Sequence, residues 1–89
     1  RIVMIDEHSF DVPPAQTMVV VKNDDRPGVI GTVGTLLGNA GVNIADMDVG
    51  RAADPGTAVM LIAPTAPVPV EVLDALRAAP GIISVDSLG

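Results

Sequence analysis

Between Asn23 and Gly28 the chain reads Asn-Asp-Asp-Arg-Pro-Gly, and a further amide, Asn43, follows the next apolar run. Residues of these types recognise rather than transform. A proline and glycine after an acidic pair mark a helix start, where unpaired N–H groups favour a carboxylate. The carboxylate of Asp25 is an acceptor for an ammonium. Those are the two ends of a free amino acid, and the amide of Asn23 or Asn43 could add selectivity for a small polar side chain. Asp24 and Asp25 also read as helix-start charges and turn formers, so the residue types alone leave a binding loop and a plain turn both open.

Groups that catalyse are scarce. His8 is the single histidine and Lys22 the single lysine, and the chain has no cysteine and no tyrosine. Without a nucleophile beside a base, or a ligand set for a metal, no catalytic residue is assigned. His8 reads as a solvent-exposed residue in a polar turn. Asp46 and Asp48 alternate along one strand and read as a solvated face, because hard cations want more oxygens at closer loop spacing. No metal and no cofactor are expected here.

A formal net charge of -6 from five basic and eleven acidic side chains argues against nucleic acid or an anionic membrane as partner. The absence of cysteine permits a reducing, cytoplasmic setting. Apolar stretches fall well short of the roughly 20 residues of a spanning helix. A start at Arg1 is expected of a module belonging to something longer.

The elements that must hold the recognition residues follow from period and punctuation. Residues 1–15 read as an arm: two short strands around a polar turn, closed by Pro13 and Pro14. Residues 16–89 read as the domain proper. The spacing predicts a strand over 17–23 and a helix over 28–40 that ends at a left-handed Gly41. A strand over 42–51 follows, with a bulge near Ala45 and Asp46 where the apolar parity shifts. A hairpin partner spans 57–63, a second amphipathic helix 70–79 stops at Pro80, and a last strand covers 82–88. Strand, helix, strand, strand, helix, strand is the α+β, ferredoxin-like βαββαβ order. It implies one four-stranded antiparallel sheet with both helices on one face.

Within the first helix, Val29, Val33, Leu36, Leu37 and Ala40 share the face that covers the sheet. Gly31, Gly34 and Gly38 share another, at a cost of roughly 0.5–1 kcal/mol each against alanine. Close backbone approach explains such a face, either by tight helix packing inside the domain or by contact with a second copy or a ligand.

The segment Lys22 to Arg51, KNDDRPGVIGTVGTLLGNAGVNIADMDVGR, resembles the C-terminal ACT regulatory domains of bacterial D-3-phosphoglycerate dehydrogenases, and the flanking RIVMIDEHSFDVPPA and PGIISVDSLG extend the likeness over nearly the whole chain. The resemblance implies a regulatory domain that performs no chemistry itself. Its parent would be an NAD-dependent oxidoreductase, cytoplasmic, with NAD and catalysis in other domains. L-serine would bind where two such domains pair side by side, giving allosteric feedback inhibition of serine biosynthesis. By position, Asp25 would grip the amino group, and Asn43 would be offered from the second subunit. The backbone amides around Gly28, Val29 and Ile30, after Pro27, would meet the carboxylate. Asn23 stands where relatives carry His or Tyr. Gly31, Gly34 and Gly38 would lie in the dimer interface. The ACT domain of an iron–sulfur L-serine dehydratase is similar in pattern, and a purely structural dimerisation module with a degenerate ligand site is a further alternative.

Overall fold

The run Val19-Val20-Val21 occupies the centre of the sheet, since β-branched side chains fit a strand packed on both faces. The computed structural model describes residues 2–5, 8–11, 17–51 and 54–88. They form β1 (Ile2–Ile5), β2 (His8–Asp11), β3 (Met18–Asp24), α1 (Val29–Asn39), β4 (Ile44–Arg51), β5 (Thr57–Pro64), α2 (Val70–Ala78) and β6 (Ile82–Leu88). β3 to β6 build one antiparallel sheet in the order β4-β5-β3-β6, and β1 pairs with β2 in a separate hairpin. The βαββαβ order is the expected one.

Both helices cover one face of the sheet. Val19 and Val21 of β3, Met60 and Ile62 of β5 and Val85 of β6 pack there against Val29, Val33 and Leu37 of α1 and Leu73 and Leu76 of α2. Met18, Val20, Val59, Leu61 and Ala63 belong to the opposite row and form a second buried cluster. Leu37 is fully buried in the first cluster. Leu37→Ala is expected to cost about 2–5 kcal/mol, a large part of the stability of a domain this small, and a urea titration would read it as a lowered midpoint at unchanged slope.

Helix ends depart from expectation by a residue or two, for local reasons. α1 starts at Val29 because Gly28 is its N-cap, at φ 91°. At its other end Gly41 takes φ 77° as anticipated, its N–H bonds to the Gly38 carbonyl at 3.0 Å, and the Val42 N–H bonds to the Leu37 carbonyl at 2.9 Å. That is a Schellman closure, with Val42 and Leu37 buried in the same cluster. Val42 therefore completes the helix stop, and the strand expected from residue 42 begins at Ile44. The bulge expected near Ala45 is present as a register shift between Ile44 and Asp46. A second irregularity, between Lys22 and Asn23 where β3 meets β6, had no signal in the sequence.

The hairpin strands agree with the reading of the arm. Its connecting residues 6–7, the segment 12–16 and the His8 side chain lie outside what the structure describes. No helix among the described residues is long and apolar enough to cross a membrane.

Candidate functional site

A strand that must hand over to a helix across four residues, 25–28, needs outside support, and here two glycine turns supply it. The Asp24 N–H donates to the Gly81 carbonyl at 2.7 Å and the Asp25 N–H to the Gly56 carbonyl at 2.9 Å. Gly56 and Gly81 both sit at positive φ, 78° and 85°, where a side chain would be strained. The α2–β6 turn and the β4–β5 turn thus fix the loop from two sides.

Asn23 stands at the end of the row that faces the helices and is 4% exposed. Its Nδ2 donates to the Asp24 carbonyl at 2.7 Å, while its Oδ1 is buried without a partner among the described residues. An unmet buried acceptor costs about 1–3 kcal/mol. Asp25 is exposed, and its carboxylate pairs with Arg51 Nη1 at 3.0 Å. Asp24 pairs with Arg26 Nη2 at 3.0 Å.

Pro27 precedes the cap of α1 rather than opening the helix. No side chain caps this end, and no acidic residue lies in the first turn. The Gly28 carbonyl takes the Thr32 N–H at 2.9 Å and its hydroxyl at 3.1 Å. The N–H groups of the first turn, through Val29 and Ile30, are left with the helix dipole behind them, which suits an anion. A cleft of about 210 Å³ opens there, lined by Arg26, Pro27, Gly28, Val29, Thr32 and Pro80. The Ile30 side chain is outside this lining and half exposed.

Asn43 is not brought to this place. It lies just before β4, whose far end, Arg51, reaches Asp25. β4 itself runs seven residue steps from Ile44 to Arg51, about 23 Å at 3.3 Å per residue. The Asn43 carbonyl accepts the Thr65 N–H at 2.9 Å and the Thr65 hydroxyl at 3.2 Å, and the residue is exposed. Within one chain, Asp25 and Asn43 cannot hold the same small molecule.

The glycines of α1 do not serve close packing inside the domain, contrary to one of the two readings of the sequence. A Cβ added at Gly31, Gly34 or Gly38 would meet nothing within 4 Å. Gly31 borders an open groove of about 740 Å³ between the helices, facing Ala75 and Ala78. Gly34 and Gly38 lie on the same outward face as Gly31, with Ile30 next to Gly34 at its far margin.

Three participants escaped sequence reasoning: Arg51, Arg26 and the Pro80-Gly81 turn. An arginine closing a predicted strand was a usable signal for the first, once β4 and β3 are both placed beside β5. The Gly81 contact joins residues far apart in the chain and had none.

The architecture is the two-layer βαββαβ sandwich, and the ACT domain model matches residues 17–81. The chain belongs to the ACT domain family. It is similar to D-3-phosphoglycerate dehydrogenases: 40% identical over 82 residues to that of Synechocystis, covering 92% of this chain and 15% of the relative. The Methanocaldococcus jannaschii protein is 38% identical, with 91% and 16% covered, and that of Bacillus subtilis 36%, with 96% and 16% covered. The chain thus spans about a sixth of the length of these relatives. Among solved structures, the ACT domain from a GTP pyrophosphokinase of Chlorobium tepidum aligns with a TM-score of 0.64 at 17% identity, over 81% of this chain and 95% of that one. The C-terminal domain of MgtC from Mycobacterium tuberculosis aligns at 0.65 and 14%, over 81% and 83%. Both support the fold alone.

Proposed function

We propose that this chain is the serine-sensing regulatory part of a D-3-phosphoglycerate dehydrogenase, with residues 1–15 as the arm from the preceding domain and 16–89 as the sensor. The observation that carries the reading is the separation of Asp25 from Asn43 by the full length of β4. Two copies paired with β4 antiparallel to β4 would bring the start of one strand beside the end of the other. Asn43 of the second copy would then approach Asp25 and the Asn23 carboxamide of the first. L-serine carries its ammonium to Asp25, its carboxylate to the first turn of α1, and a hydroxyl donor that suits an unmet acceptor such as Asn23 Oδ1.

The two edges differ, with a β6 carbonyl engaged from within the chain and β4 approached by β2. In β6 the Val85 carbonyl already accepts Arg77 Nη2 at 2.8 Å and Nε at 3.2 Å, and Asp74 steadies the guanidinium at 3.0 Å. β4 carries the half-exposed Val49, and α1 the half-exposed Ile30. A ligand shifts an equilibrium only by its differential affinity, so serine would hold the pair in the arrangement that the catalytic domains of the parent read as inhibited. Hydride chemistry and NAD belong to those other domains, in the cytoplasm.

Calorimetric titration of L-serine into the chain, with D-serine and glycine as controls, tests the reading. Saturable, stereoselective heat supports it. A paired chain that gives no more heat than the controls is a structural module, a reading favoured by the ion pair that Asp25 already makes. Because that ion pair is exposed and competes with the ligand ammonium, Arg51→Ala is expected to tighten L-serine binding by up to about fivefold, read as a lower Kd in the same titration.

A further inference from the structure

In a sandwich whose two helices lie on one face of an antiparallel sheet, the other face meets solvent, and its strands carry polar side chains on that side. β3 and β5 break this rule. Met18, Val20, Val59, Leu61 and Ala63 belong to the row turned away from the helices, and none is more than 5% exposed. Neighbouring strands of one sheet screen such side chains from the flanks and leave them open above. Leu88, which packs against this cluster, is itself part of β6 in the same sheet, opposite Met18. The buried side chains of α1 and α2 are occupied on the other face. The cover must therefore come from this chain, from outside the sheet and the helices. The remaining described element is the hairpin, whose strand β2 lies against β4. We infer that the β1–β2 hairpin lies across the second face of the sheet as a third layer and shields the β3–β5 strip from water.

The hairpin has the two sides such a cover needs. Ile2 and Met4 share one side of β1 and are 70% and 64% exposed, and Ser9, opposite Met4 on β2, is exposed with them. That side faces solvent, which leaves the alternate side for the sheet. A two-stranded hairpin alone is marginal in water, so docking stabilises the arm as well as the face beneath it. The charges on the second face fit the same placement. Asp46 and Asp48 of β4 stand beside Ala63 and Leu61, and Asp86 of β6 stands beside Val20. Asp46 and Asp86 are exposed and Asp48 is half-buried. Carboxylates thus border the apolar strip on both sides, and the covered area is the middle of the sheet rather than its margins. This layer precedes residues 17–81, the region that defines the family. A boundary near residue 16 therefore divides the chain without dividing the folded unit, and displacing the arm would open an apolar sheet face.

The test locates the hairpin in solution. The chain contains no cysteine, so Ser9→Cys in the full chain gives a single attachment point on the exposed side of β2. A nitroxide there is expected to erase the methyl resonances of Val20, Val59 and Leu61 and to leave those of Val33, Leu37 and Leu76 visible, each compared with the reduced label. Thr35→Cys, at an exposed position of α1, is expected to give the reverse order. Both substitutions are at the surface, and an otherwise unchanged methyl spectrum with the reduced label checks that the fold is kept. Equal broadening of the two sets by the label on Ser9→Cys, or broadening of neither, overturns the inference. Nitroxide-labelled chain without isotopes, mixed with isotope-labelled chain that carries no nitroxide, is expected to leave the methyls of the second face sharp. Broadening in that mixture would seat the hairpin on a neighbouring copy and overturn the intramolecular cover.

Discussion

Asp25→Ala is expected to abolish L-serine binding at millimolar ligand while the domain stays folded. The carboxylate is the one acidic group at the site not paired with Arg26, and its own partner, Arg51, is exposed. Its removal leaves the ammonium of a bound amino acid desolvated and unpaired. Truncating one partner of such a charge pair costs about 2–5 kcal/mol, roughly thirty- to several-thousand-fold in Kd. The fold feels little of this, because the loop is held through the backbone: the Asp25 N–H bond to Gly56 survives the substitution. Calorimetry should show no heat above the control, and thermal melting should lie within the small range of a surface substitution, about 0.5 kcal/mol. Retained, stereoselective binding would remove Asp25 from the site.

The second large effect concerns pairing. Gly34→Leu combined with Gly38→Leu is expected to convert a side-by-side dimer to a monomer. Neither position has anything within 4 Å of an added Cβ in the chain itself, so leucine is tolerated there and improves helix propensity by about 0.5–1 kcal/mol at each site. Failure to fold is therefore not the expected cause of any loss. Across a pair of closely approaching helices the same bulk has nowhere to go, and overpacking of about 1–3 kcal/mol weakens association roughly ten- to a hundredfold. Sedimentation equilibrium would show the mass falling toward one chain. An unchanged dimer that binds L-serine would move the interface elsewhere.

Much of this molecule is legible in the residues because local and global preferences agree. β3 and β5 are short apolar β-branched runs, and both are buried on both faces. Gly41 announces the end of α1, and the shift in parity announces the bulge at Ala45. The site is legible only in part. Asp25, Pro27 and Gly28 are contiguous and share one loop, so their types suffice. Asn23 looked like one more polar residue of that loop. Its burial follows from its place in the β3 row beside Ala58, which no local pattern shows. Arg51, Gly56 and Gly81 reach the loop only through the strand order β4-β5-β3-β6, and that order is set by tertiary packing. Asn43 was legible as a type and illegible as a place, since a linear reading does not show that β4 carries it away from Asp25.

The guanidinium of Arg77 on the Val85 carbonyl also sets a limit on growth. An antiparallel sheet with two bare edges can recruit chain after chain and lengthen into a fibre, as exposed edge strands do. With one of its carbonyls taken by its own helix, β6 is the poorer edge for an incoming strand. Joining like edge to like edge about a two-fold axis uses the β4 edge of both copies at once, so an assembly made through β4 alone would halt at two by geometry, without any need for weak affinity.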